Sequence, residues 1–502
     1  MKKNMLIICI SVMLLLGCQK TADVPDDAII ARIGDRNITK NEFIRRSEYT
    51  IRPPYCKMGD QIIHKKIILN SLIAEKLLAL EAEEKQLLQD HEGFQAFIKG
   101  RREQAMRKLL YNEKAYEKVK LSDREMADLF KVAGRTYHIQ YFNVPDSATA
   151  AEIGQYLDEH PDQFAQVYEK YYGDDKVPAR DVGLTDYENH QVEKALFTRP
   201  LKNGSVIKPL KITDNQYLMM RVDGWTDSRV FAEDDVKKRW EQVRERLTLR
   251  KASALWDDYR HNIMKGKHLK FSEDTFFKMA EIFATAYHFR DQEKQSLFND
   301  RFWDRTKQSF DLDKISAALG QQEALQTAPF FTIDGSMFTV RDFRQMMASH
   351  PLVFRERRFS RSEFPQQFKL AVVDMIADQY LNQDAYDQGL DQHAWVRRTE
   401  SMWRDALTGM YLRNTYLDSI GKKDAFIANY LPVLRNDLNP YVKSLQEKYS
   451  DRIEIDADLL KQIKLTRIDM FVIQKWEPYP VIVPQFPVIT DEHRLDYGKD
   501  MP

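Results

Sequence analysis

Eleven histidines, three cysteines and 76 acidic side chains are the groups here that could bind a metal, attack as nucleophiles or move protons. Their spacing excludes more than it offers. His64, His91 and His393 show no ligand spacing, so no metal site is expected. The chain contains no G-x-x-x-x-G-K-[S/T], G-x-G-x-x-G, H-E-x-x-H or G-x-S-x-G stretch. No nucleotide site and no cofactor are therefore expected. The 76 Lys+Arg balance the 76 Asp+Glu, which removes the case for a phosphate-seeking nucleic-acid binder. A mean hydropathy of −0.56 excludes a polytopic membrane protein. With 18 glycines in 502 residues, and many Leu, Lys, Glu, Gln and Arg, the composition favours helix. The length suggests about three domains.

Cysteine placement supplies an address. Lys2 and Lys3 precede an apolar run over residues 5–16. A bilayer span needs roughly 20 apolar residues, so this run reads as a secretory signal. It ends in Leu15-Leu16-Gly17-Cys18, which resembles the bacterial lipobox. That resemblance implies a mature chain beginning at a lipidated Cys18 and lying in the periplasm. Several acyl chains would hold it stably to a membrane. Gln19 points to the outer membrane rather than the inner one. Cys9 then leaves with the signal, and Cys56 alone remains, so no internal disulfide can form. Cys56 lies in a loop beside Pro53 and Pro54, either as packing or as a reactive thiol.

A repeat organises the rest. Ile33-Gly34-Asp35-Arg36-Asn37-Ile38-Thr39 and Ile333-Asp334-Gly335-Ser336-Met337-Phe338-Thr339 each read as strand, turn, strand and helix start, 300 residues apart. Thr39 and Thr339 are natural N-caps, with Glu42 and Asp342 three residues on in a capping-box pattern. Residues 72–78 match 375–381, and Met106, Leu109, Leu110 and Tyr111 match Leu407, Met410, Tyr411 and Leu412, all with helical apolar periodicity. Residues 270–276 match 454–460, but the offset has fallen by about 116 residues. The first copy therefore carries about one extra domain. That insertion, residues 135–225, has period-2 runs over 137–144 and 216–222 with a helix over 148–159 between them. This is an α+β pattern.

The insertion resembles the parvulin prolyl isomerases. The resemblance is carried by His138-Ile139, Phe164-Ala165, Gly173-Asp174-Asp175, Arg180-Asp181-Val182-Gly183, and residues 192–197 with 203–209 and the strand 213–222. It implies His138 and Asp175 as a catalytic pair. The family's second histidine falls at Leu218, and its proline-pocket positions fall at Glu188, Val192 and Phe197. Leu218 cannot hydrogen-bond, and a charge at Glu188 weakens an apolar grip on proline.

Signal, helical module, inserted domain and closing helix together are similar to the SurA/PrsA/PpiD group of periplasmic foldases. The expected fold is mainly α: a duplicated SurA-like helical chaperone module whose first copy is interrupted by a small α+β parvulin-like domain. The expected organisation is a signal at 1–17, a tether at 18–29, and a first module at 30–120 plus 231–276. A parvulin-like domain at 135–225, a connector at 277–329, a second module at 330–465 and a proline-rich tail at 466–502 complete it. The resemblance implies unfolded or outer-membrane protein clients, a membrane contact through the N-terminal lipid, and no nucleic-acid or nucleotide partner. Three functions stay open: a chaperone with weak or absent isomerase activity, an active prolyl isomerase, and a structural subunit of an envelope assembly.

Overall fold

A computed structural model describes residues 27–57, 61–174, 176–186, 190–213, 216–287, 323–356, 359–466, 468–470, 472–474 and 476–497. The chain is mainly α with small antiparallel sheets. In chain order the main elements begin with β1 (Ile29–Ile33), β2 (Arg36–Thr39), α1 (Lys40–Glu48), α2 (Gln61–Glu84), α3 (Glu92–Lys114) and α4 (Asp123–Phe130). Then come β3 (Arg135–Val144), α5 (Ser147–Glu159), α6 (Phe164–Tyr172), β4 (Ala179–Gly183), α7 (His190–Phe197), β5 (Val206–Thr213) and β6 (Gln216–Asp227). After α8 (Glu233–Met264) follow β7 (Leu269–Phe271), α9 (Glu273–Tyr287), β8 (Pro329–Ile333), β9 (Ser336–Thr339) and α10 (Val340–Ser349). The last are α11 (Phe364–Asp387), α12 (Ala394–Ser419), α13 (Asn439–Lys448) and β10 (Ile453–Ile455). Two compact units result. The first takes the described residues up to Ala105, Lys267–Ile376 and those from Asp391 on; the second takes Met106–Gly266 and Ala377–Leu390.

In the first unit, two hairpins share one plan. Ile33 pairs with Arg36 and Ile29 with Thr39; 300 residues later Ile333 pairs with Ser336 and Pro329 with Thr339. The turns differ in chemistry. The first needs a positive φ at Gly34, whereas the second needs one at both Asp334 and Gly335, as a type I′ turn does. Strand pairing does not follow the grouping of 231–276 with 30–120. β10 completes the sheet of β1 and β2, and β7 completes that of β8 and β9. Both closing strands are three residues long, and each covers a hairpin edge that would otherwise be bare.

Helix α2 is buried from His64 to Ala82 almost without a break, its apolar residues interspersed with buried Lys65, Asn70, Glu75, Lys76 and Glu81. It packs against α12, where a Cβ on Gly409 would stand 2.7 Å from the Glu75 carbonyl oxygen, so no larger residue fits at this approach. The chain turns back after Trp476, bridging Ile473 to Val481, and continues without regular secondary structure, burying Tyr479, Val483, Phe486, Val488, Ile489 and Leu495. Prolines 480, 484 and 487 cannot donate to a ladder. Side chains take its carbonyls instead: Arg101 donates to Val481 O at 2.7 Å, Arg46 to Gln485 O at 2.8 Å and Asn70 to Glu492 O at 2.8 Å.

The second unit is built on a four-stranded antiparallel sheet in the order β4-β3-β6-β5. Alternation along β3 sends Tyr137 and Ile139 to a core shared with α4, α7 and α8, while Phe142 and Val144 join a separate core with α5 and α6. Phe130 stacks on Trp240 of α8 at 4.2 Å between centroids. Arg107 ties the end of α3 to α11, reaching Asn382 Oδ1 at 2.6 Å and Asp378 at 3.2 Å.

Candidate functional site

His138 lies on β3 between Tyr137 and Ile139, so the pleat turns it to the opposite face from those two core residues. Across the ladder its partner on β4 is Asp181. Residues directly opposite on adjacent strands point the same way, and the two side chains meet: His138 Nδ1 is 2.6 Å from Asp181 Oδ1. Both are exposed, with side-chain accessibilities of 41% and 65%. The same face carries Gln140 and, opposite it on β6, Arg221, which bonds Asp223 at 2.8 Å and lies 5.7 Å from the Phe164 ring. With Nδ1 held by Asp181, the Nε2 side of this partly exposed imidazole can still take part in a hydrogen bond. In water-like surroundings such a pair offers a hydrogen bond rather than a strongly polarised one.

The other expected site residues divide. Asp175, Glu188 and Cys18 lie outside the described residues. Val192, Phe197 and Leu218 are buried together in one cluster with Tyr137, Ile139, Val243 and Leu247. The Tyr137 ring meets Phe197 at 5.3 Å, edge to face. These positions form core behind the sheet, on the face away from His138. Leu218 pairs with Asn143, five residues along β3 from His138 and so about 17 Å distant along the strand. The arrangement brings His138 to an acid, but not to an apolar slot built from Val192 and Phe197.

Asp181 is the acid that motif matching did not single out as the histidine's partner. The signal was present: residues 180–183 form a short strand after a helix, and antiparallel pairing with the His138 strand sets an acid against it. Only the register could identify which acid.

Cys56, His91 and His393 have structural surroundings. Cys56 is fully buried, and burial pushes its thiol well above the ordinary range, which disfavours a nucleophilic thiolate. His91 Nδ1 accepts from Phe94 N at 3.1 Å, and His393 N-caps α12 by accepting from Trp395 N at 3.2 Å. Among the described residues no group of His, Cys, Asp and Glu is arranged to hold a metal ion. Among them, too, no helix is long and apolar enough to cross a membrane.

No family model matches this chain. A curated relative, Foldase protein PrsA of Geobacillus sp. (strain WCH70), is 27% identical over 221 residues, which span 41% of this chain and 76% of that protein. Over that stretch the chain is similar to a PrsA-type foldase.

Proposed function

We propose that this protein is a lipid-anchored periplasmic chaperone of the foldase type, which holds unfolded outer-membrane or secreted chains and has little or no prolyl isomerase activity. The similarity to Foldase protein PrsA supports the foldase reading. In this reading, the two hairpin–helix segments of the first unit are copies of one module, supported by their shared register 300 residues apart. Residues 135–225 are a parvulin-like domain, and Cys18 carries the lipid. The single observation that carries the weak-isomerase part is the burial of Val192, Phe197 and Leu218 on the face away from His138. Rotation about a prolyl amide faces a barrier of about 18–20 kcal/mol, and lowering it needs a pocket that grips the ring in a twisted state. A hydrogen-bonding His138–Asp181 pair without that grip is suited to binding extended peptide.

The test uses the full chain. An unfolded outer-membrane protein diluted from denaturant is expected to scatter less light at a stoichiometric amount of this protein; undiminished scattering refutes the chaperone reading. In a protease-coupled proline-peptide assay the rate is expected to stay near that of buffer. The His138–Asp181 contact favours the alternative of an active isomerase. A rate well above buffer that disappears in His138→Ala would establish that alternative.

A further inference from the structure

The first unit contains a charged group that neither the fold nor the proposed function accounts for. Arg413 on α12 is 8% exposed, and no carboxylate among the described residues lies within ion-pair distance of it. Its guanidinium donates from Nε and Nη2 to Asn414 Oδ1 at 3.1 and 2.8 Å, and from Nη1 to Val488 O at a long 3.3 Å. It also lies 5.0 Å from the Phe426 ring. Two of its five N–H donors remain unused. Burial holds its pKa down to about 10, with Glu75 opposing that fall from a distance. A buried cation without an acid is costly, and proteins seldom retain one.

Glu75 does not discharge it. Both Glu75 oxygens are taken by Arg46, at 2.8 and 2.7 Å.

Arg413 borders a cavity of about 60 Å³, which is ample for a small group and too large to be a packing gap. Its inner wall is Glu75, Trp403, Phe486 and Ile489, all buried; half-buried Leu407, Met410 and Gln485 line its outer side. Gln485 lines this cavity, and its Nε2 donor is buried without a hydrogen-bond partner. Two spare guanidinium donors and one amide donor, set in walls that are apolar except for Glu75, whose charge Arg46 already pairs, match a planar group with two acceptor oxygens and a hydrocarbon attachment. A tetrahedral dianion would leave most of its oxygens unserved.

We propose that this cavity under the C-terminal strap binds a carboxylate, held by Arg413 and Gln485 with its carbon end against Trp403 and Met410. The carboxylate belongs either to a small free acid or to the terminus of a polypeptide.

Titration calorimetry and thermal unfolding of the full chain decide this. The probes are propionate, an acetylated tripeptide with a free C-terminus, the same tripeptide as its amide, and sodium chloride at matched ionic strength. Propionate is expected to bind and to raise the unfolding midpoint beyond the chloride control. Arg413→Met is expected to weaken propionate roughly tenfold or more, the scale of a hydrogen bond to a charged group. That variant should unfold at the same or a higher temperature without ligand, because it removes an uncompensated buried charge; a role confined to holding Val488 predicts the reverse. Ala406→Leu fills the cavity, keeps every charge and is expected to abolish binding. Tighter binding of the free-acid peptide than of propionate identifies a chain terminus as the source, and binding of propionate alone identifies a small acid. The proposal is overturned if propionate acts no differently from chloride, or binds Arg413→Met or Ala406→Leu as it binds the parent.

Discussion

The two hairpin–helix segments of the first unit share a backbone plan and differ in what fills the space behind it. Behind β1, β2 and α1 the core is aliphatic and threaded by buried charge. Arg46 holds Glu75, while Lys76 reaches Glu42 and Asp405, each at 3.1 Å, and Arg36 bonds Asp405 at 2.9 Å. Burial works against both the Arg46 and Lys76 cations, but their acids outweigh it and hold each pKa above the ordinary range. Behind β8, β9 and α10 the core is aromatic. Phe368 is fully buried with the rings of Phe276, Phe283, Phe330, Phe343 and Phe364 between 4.9 and 6.3 Å away. The same local fold can therefore be closed by directional pairs or by ring packing. The first closure ties each charge to particular partners in a fixed geometry, whereas the second tolerates rearrangement.

This contrast can be broken by mutation. Phe368→Ala should cost the most, about 4 kcal/mol of unfolding free energy in a urea titration, because five rings lose their common neighbour. Phe368→Leu should recover most of that loss; an equal loss for both would mean that the aromatic core is as exacting as the ionic one. Glu75→Gln should cost about 3 kcal/mol, since it leaves Arg46 buried without a counter-charge. A loss under 1 kcal/mol would show that the Arg46–Glu75 pair is replaceable and would erase the distinction. The helix caps give the smallest effect. Thr339 and Asp342 form the full reciprocal box, with Asp342 Oδ2 accepting from Thr339 N at 2.7 Å. Thr39 accepts from Glu42 N at 3.1 Å, but Glu42 pairs with Lys76 instead of closing the box. Thr339→Ala should cost about 1 kcal/mol and Thr39→Ala about half as much. Equal costs would mean that the diversion of Glu42 has no energetic consequence.

The helix-forming composition, the two hairpins and the threonine caps were legible because each depends on a few neighbouring residues. Gly34 and Gly335 mark turns needing positive φ, and Thr39 and Thr339 stand where the strand pattern changes to the helical one. The two long alternating runs form β3 and β6 because a period of two needs no distant information. The partner of His138 was not legible. Asp175 and Asp181 are both near enough in sequence, and strand register brings Asp181 to it. Nor could motif matching tell that Val192, Phe197 and Leu218 face away from His138, since apolar residues suit a slot and a core equally.

Sequence alone determined the local geometry, because backbone sterics, capping and apolar periodicity act over a few residues. Tertiary structure decided what those elements meet. Two nearly interchangeable closing strands each had two hairpins to choose from, and the pairing made β10 the neighbour of β1 and β7 the neighbour of β8. The proline-bearing segment after Trp476 became part of the core because its carbonyls found buried arginines more than 300 residues away in Arg46 and Arg101. Contacts of that range depend on the whole packed chain, and no short window of sequence contains them.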